Sequence, residues 1–186
     1  LIRSRGLGDV YKRQALGRSA LSALTTGSYN VAVGRKALES QTTASDNVAI
    51  GNLALAVNTT GTNNVAVGAN TLDSNTTASN NTAIGDNALG ACTTGADNTA
   101  VGSGALIQGT TAYNNVAVGN ECLDAVVTGG YNTAIGDNAL GAYLGSESTA
   151  CGANALQKCT TGADNTALGV NALKETTTGG NNTALG

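Results

Sequence analysis

Any chemistry in this chain has to come from carboxylates, thiols, hydroxyls and amides, because it contains no His. His-based triads, His general bases and His-metal sites are thereby excluded. The carboxylates recur at fixed intervals. Asp46, Asp97 and Asp164 share one place in a 17-residue frame, and Asp86 and Asp137 share another. That regularity suits turn capping, since Asp side chains bond their own backbone in turns. The G-G-x-G-x-D pattern that builds calcium-binding β-rolls is absent, so no metal site is expected.

The four cysteines, Cys92, Cys122, Cys151 and Cys159, form no C-x-x-C pair. Cys92 and Cys159 occupy the same frame position four units apart, roughly 19 Å at about 4.8 Å per stacked rung. A disulfide needs Cα atoms within about 7 Å, so free, mostly buried thiols are expected. Thr-Thr pairs such as Thr59-Thr60 and Thr93-Thr94 should stack into a ladder with one outward Thr per unit. Ala125-Val126-Val127 and Tyr143-Leu144 break that ladder. Sequons occur at Asn58, Asn75, Asn80 and Asn181, as an Asn/Thr-rich chain produces by chance. No nucleophile, base and orienting group can be assembled from these residues. The chain is read as a non-enzyme, with no catalytic, cofactor-binding or metal residues.

What positions these residues is a repeat. The stretch Asn81-Thr82-Ala83-Ile84-Gly85 returns every 17 residues, beginning at Asn30, Asn47, Asn64, Asn81, Asn98, Asn115 and Asn132, then at Ser148 after one deletion, then at Asn165 and Asn182. Sustained self-similarity at a fixed period marks a repeat architecture. Counting from the Asn, position 3 is always Ala, position 5 always Gly, and position 9 always Leu where the repeat reaches it, from Leu38 to Leu173.

Positions 2 to 4, β-branched and flanked by Asn and Gly, read as a short strand. Alternation then puts positions 2 and 4 on one face and position 3 on the other. The expectation is that the Ile84 column faces a core. The unvarying Ala83 column would face outward, against a neighbouring chain. Gly85 marks a corner needing positive φ or close approach. Positions 6 to 12, such as Asp86 to Cys92, read as a bent strand or one to two helical turns. Thr-Thr-Gly reads as a second extended piece ending in a turn.

One such unit buries too little apolar surface to offset the entropy of ordering its backbone, so the units must stack. The resulting fold class is all-β: a parallel β-solenoid, or β-roll, of about ten 17-residue coils, left-handed and trimeric. The alternative is a right-handed solenoid with a strand plus a short helical turn per coil. Stacked Asn residues would add amide ladders along the axis.

Composition agrees with a thin-cored rod. Charged residues make up 11% of the chain, against about 25% in ordinary globular domains. Residues 1–14 (LIRSRGLGDVYKRQ) lie outside the repeat and hold four of the nine basic residues. They resemble translated sequencing-adapter read-through, the other reading being a disordered basic arm. Residues 15–186 are read as a single repeat domain, a fragment open at both ends. Without 1–14 the balance is acidic, which removes the electrostatic footprint of nucleic-acid binding. No apolar run approaches the ~20 residues of a membrane span, so no membrane contact is expected within the fragment.

Through Asn81-Thr82-Ala83-Ile84-Gly85 and its copies, and the N-A-L motif that follows, the chain resembles the YadA-like head repeats of trimeric autotransporter adhesins. It also resembles related bacteriophage tail-fibre repeats. The resemblance covers Ala15 to Gly186 and implies a left-handed β-roll of three chains winding side by side. The Thr-Thr-Gly insert makes the present coil longer than the family's. The function implied is a structural segment of a cell-surface adhesin or phage tail fibre, spacing or presenting a host- or surface-binding tip. Its partners would be a homotrimer and a host glycan or protein receptor, and its location extracellular, at an outer-membrane-attached surface, or on a virion. The alternative function is a flat-faced solenoid that binds ice or glycan through stacked Thr and Asn ladders.

Overall fold

A computed structural model describes residues 13–186. Most of the N-terminal segment, residues 1–12, therefore lies outside the described residues. Eleven short strands form one parallel sheet in strict sequence order. They are β1 Arg13–Leu16, β2 Asn30–Val33, β3 Val48–Ile50, β4 Val65–Val67, β5 Thr82–Ile84, β6 Thr99–Val101, β7 Val116–Val118, β8 Thr133–Ile135, β9 Thr149–Cys151, β10 Thr166–Leu168 and β11 Thr183–Leu185. The register is that of the repeat: Ala66 pairs with Ala83, and Ala83 with Ala100. Arg13 and Gln14 pair with Asn30 and Val31, so β1 begins two residues before Ala15. The chain is a β-solenoid with one strand per coil, and no helix occurs among the described residues.

Positions 6 to 12 are therefore neither a bent strand nor helical turns. They are a chain of tight turns with left-handed backbone at positions 7 and 9. Position 7 carries Asn70, Asn87, Asn138, Asn154 and Asn171, a residue type that tolerates this conformation. Position 9 does not follow that rule. Every Leu there, from Leu38 to Leu173, has φ near +50°. The left-handed region costs a side-chain-bearing residue roughly 1–2 kcal/mol. Burying a Leu returns about 1.5–3 kcal/mol, and Leu38 through Leu156 are fully buried. Burial prevails, and it fixes Leu where local preference would choose Gly or Asn. Thr-Thr-Gly is likewise a bend rather than an extended piece.

The strand faces are the reverse of the expectation. Ala83 and the Ala column are buried in the interior, while Ile84 is 40% exposed on the outer face. The interior of a 17-residue coil is narrow. Leu89, Ala88 and the position-12 side chain fill the space opposite the strand, and only a methyl fits at position 3. The unvarying Ala thus reports interior crowding and not a neighbouring chain.

Coils are joined by hydrogen bonds running both ways along the axis. Gly85 N–H donates back to Val67 O at 2.8 Å, and Leu89 N–H donates forward to Ala105 O at 3.0 Å. Gly85 has φ +135°, and a Cβ there would lie 2.4 Å from Gly102 O, so the corner admits no side chain.

The Asn column is a buried ladder. Asn81 N–H donates to Asn64 Oδ1 (3.0 Å), Asn81 Nδ2 donates to Gly95 O (2.8 Å), and Asn98 N–H donates to Asn81 Oδ1 (2.9 Å). At the 16-residue coil the ladder is patched. Ser148 N–H donates to Asn132 Oδ1, and Asn165 N–H donates to Ser148 Oγ. Tyr143, fully buried, fills the space of the missing amide, with its hydroxyl 2.7 Å from Ser146 O and 3.0 Å from Ser148 Oγ.

Candidate functional site

The residue types able to do chemistry are dispersed by this geometry. Among the described residues no group of three or more His, Cys, Asp or Glu could hold a metal ion. Asp46, Asp97 and Asp164 stand at position 17 with φ near +60°, in the turn role their spacing indicates. Asp73 and Asp124 share position 10, and burial pushes both carboxyls above the usual value of 3.8. The neighbouring Glu121 carboxylate pushes Asp124 further in the same direction.

All four cysteines are free. Cys92, Cys122 and Cys159 are fully buried. Burial pushes the Cys92 thiol up to about 11 and the Cys122 thiol up to about 12, and raises Cys159 as well. Cys151 differs in lying half-buried on the outer strand face.

The polar ladders are placed unequally. The Asn column is buried, and its amides are spent inside the coil. Position-13 hydroxyls bond the carbonyl of the next coil, as Thr76 Oγ1 does to Thr93 O at 3.1 Å. The position-14 residues, such as Thr60, Thr77 and Thr94, are exposed in a single column. Of the sequons, Asn58 and Asn75 are buried with their amides bonded to neighbours, whereas Asn80 and Asn181 are exposed.

Two surface features emerge that residue chemistry alone did not single out. The first is the outer face of the sheet. Position 2 carries Val31, Val48, Val65, Thr82, Thr99 and Val116, then Thr133 to Thr183; position 4 carries Val33, Ile50, Val67, Ile84, Val101, Val118, Ile135, Cys151, Leu168 and Leu185. Neither column contains a charge from β2 to β11. Ile50, Ile84, Ile135 and Leu168 are each at least 40% exposed. The two columns stand about 7 Å apart and run roughly 43 Å along the axis. The alternation of β-branched residues about an Ala could have revealed this face, had the Ala been read as interior.

The second feature is an aromatic pair at the corner before the strand. Tyr113 at position 16 and Tyr131 at position 17 of the next coil meet edge to face, with ring centroids 5.4 Å apart. They are 41% and 58% exposed. Gly130 makes room for Tyr113: a Cβ there would lie 2.6 Å from the ring's Cζ. The sequence signal was the rarity of aromatics, since the chain has five Tyr and no Phe or Trp.

Among the described residues no helix is long and apolar enough to cross a membrane. No family model matches the chain, and no curated protein or solved structure matches it either.

Proposed function

We propose that this chain is a structural repeat segment of a homotrimeric fibre on a cell surface or virion. In this reading the solenoid spaces or presents a binding tip and performs no catalysis. The observation that supports it is the uncharged strand face, a Val/Ile/Leu column beside a Val/Thr column, partly or fully exposed along the length of the rod. The largest exposed apolar patch on a protein is often an interaction site, and this one is continuous from coil to coil. A second copy is the occupant that matches the face in length and repeat. Three copies about one axis cover the face of each with the other two, the arrangement that the resemblance to trimeric adhesin heads implies. The trimer thus rests on the outward columns at positions 2 and 4 and not on Ala83.

Sedimentation equilibrium of the full chain should return three times the 18.2 kDa protomer mass. Ile84→Lys and Ile135→Lys each place a charge on the proposed contact while leaving the interior untouched, and together they should yield folded monomers. A monodisperse, folded wild-type monomer would exclude the assembly.

A further inference from the structure

The Tyr113–Tyr131 ridge breaks the local rules of the corner where it sits. Position 17 has left-handed backbone in every coil and carries Asp46, Asn63, Asn80, Asp97, Asn114, Asp164 and Asn181, residues that suit it, and Tyr29, Tyr131 and Glu147, which do not. Tyr131 occupies the same conformation, at φ +61°, with a bulky ring that gains no burial in return. Position 16 is elsewhere small, and Gly130 is the residue that lets the Tyr113 ring lie across the neighbouring rung. Tyr29 shows that a Tyr is tolerated at position 17, so what sets the ridge apart is the second ring at position 16, packed edge to face on the first, and the Gly130 that admits it.

The surroundings indicate the ligand chemistry. Main-chain hydrogen bonds hold Tyr131 in line with its neighbours: Tyr131 N–H donates to Tyr113 O at 3.3 Å, and Glu147 N–H donates to Gly130 O at 3.1 Å. Asn114 and Glu147 therefore flank Tyr131 in the position-17 column, each about one rung of 4.8 Å away, and both are exposed. An aromatic face between a carboxamide and a carboxylate offers an apolar surface for ring C–H groups and both donor and acceptor partners for hydroxyls. Glu147, with Asp97 two rungs from Tyr131 in the same column, disfavours anionic ligands.

We infer that this ridge is a binding site for a neutral pyranose, with Tyr131 as the stacking platform, Tyr113 packed perpendicular to it, and Asn114 and Glu147 as hydroxyl partners. The inference concerns one protomer and does not depend on the fibre reading. In an assembly of several protomers the site repeats, and weak single-site affinity is multiplied by avidity.

The test is a titration of the full chain, labelled at its tyrosine rings, with the methyl pyranosides of glucose, galactose and mannose and with N-acetylglucosamine, read by NMR. At least one sugar should shift the Tyr113 and Tyr131 resonances saturably. Tyr131→Asn installs the residue type that Asn63, Asn80, Asn114 and Asn181 carry at this position, so it should melt no lower than wild type. It should nevertheless weaken that binding by about three- to ten-fold, as loss of a stacking surface predicts. Three results would overturn the proposal. They are an absence of shifts with all four sugars, shifts that survive unchanged in Tyr131→Asn, and a lower sedimentation mass for Tyr131→Asn. The last would assign the ring pair to a contact between copies.

Discussion

At the scale of single residues, the chain separates positions where side chain and backbone agree from positions where they conflict. Leu53 and Lys36 hold left-handed backbone at position 7, where five other coils use Asn. Neither is fully buried, so neither has the compensation that Leu89 has. Leu53→Asn and Lys36→Asn should each stabilise the fold by about 0.5–1 kcal/mol, seen as a higher melting temperature by circular dichroism. Leu89→Ala should do the opposite, costing about 2–5 kcal/mol, because the narrow interior has nothing to refill the space. Asp73 and Asp124 set a pH dependence of defined sign. Their folded values lie above the usual 3.8, so the folded state binds protons that the unfolded state has released. Their contribution to stability is fully present below pH 3.8 and is lost as pH rises through the folded values. Asp73→Asn with Asp124→Asn should flatten the melting-temperature profile across that interval. A profile unchanged by the double substitution would remove these two groups as its source.

At the scale of the element, the rung is held by a buried polar column as much as by its apolar one. Asn98 accepts the Asn115 N–H at 3.0 Å and donates to Ala112 O at 2.7 Å. Asn98→Ala leaves both groups buried without partners, at about 1–3 kcal/mol each. Hydrogen exchange should show the loss first at the Asn115 amide, while the Asn64 rung keeps its protection. Tyr143→Phe should be milder, since the ring still fills the coil and only the bonds to Ser146 and Ser148 are lost. Much of this element was legible in the sequence. The period gave the parallel register, the Asn column gave the ladder, Gly85 gave the corner, and the spacing of Cys92 and Cys159 gave free thiols. The orientation of the strand was not legible, because alternation states which residues share a face and not which face is inside. Apolar size argued for Ile84 inward, and the opposing Leu89 decided for Ala83. The turns at positions 7 and 9 were hidden for a related reason. Asn87 announces left-handed backbone, but Leu89 adopts it only because tertiary burial overrides local preference.

At the scale of the whole molecule, a solenoid with one uncharged, partly exposed strand face poses a question that one protomer does not answer by itself. The face is stacked rung on rung, so its area grows with every coil. Cys151 is a native reporter on that face, at position 4 between Ile135 and Leu168 in adjacent rungs. The other three thiols are buried, and those of Cys92 and Cys122, pushed up to about 11 and 12, hold little thiolate near neutral pH. In a lone protomer, a thiol reagent should therefore modify Cys151 alone until the chain unfolds. If copies pack through the strand face, Cys151 should be protected in the native wild type. It should then become reactive in the Ile84→Lys, Ile135→Lys double variant, while Cys92, Cys122 and Cys159 stay silent in both. Counting reactive thiols in native, variant and unfolded protein thus separates coverage of the face from loss of the coil. Rapid modification of Cys151 in native wild type would mean that the face is open to solvent. The apolar columns would then need an occupant other than a second copy.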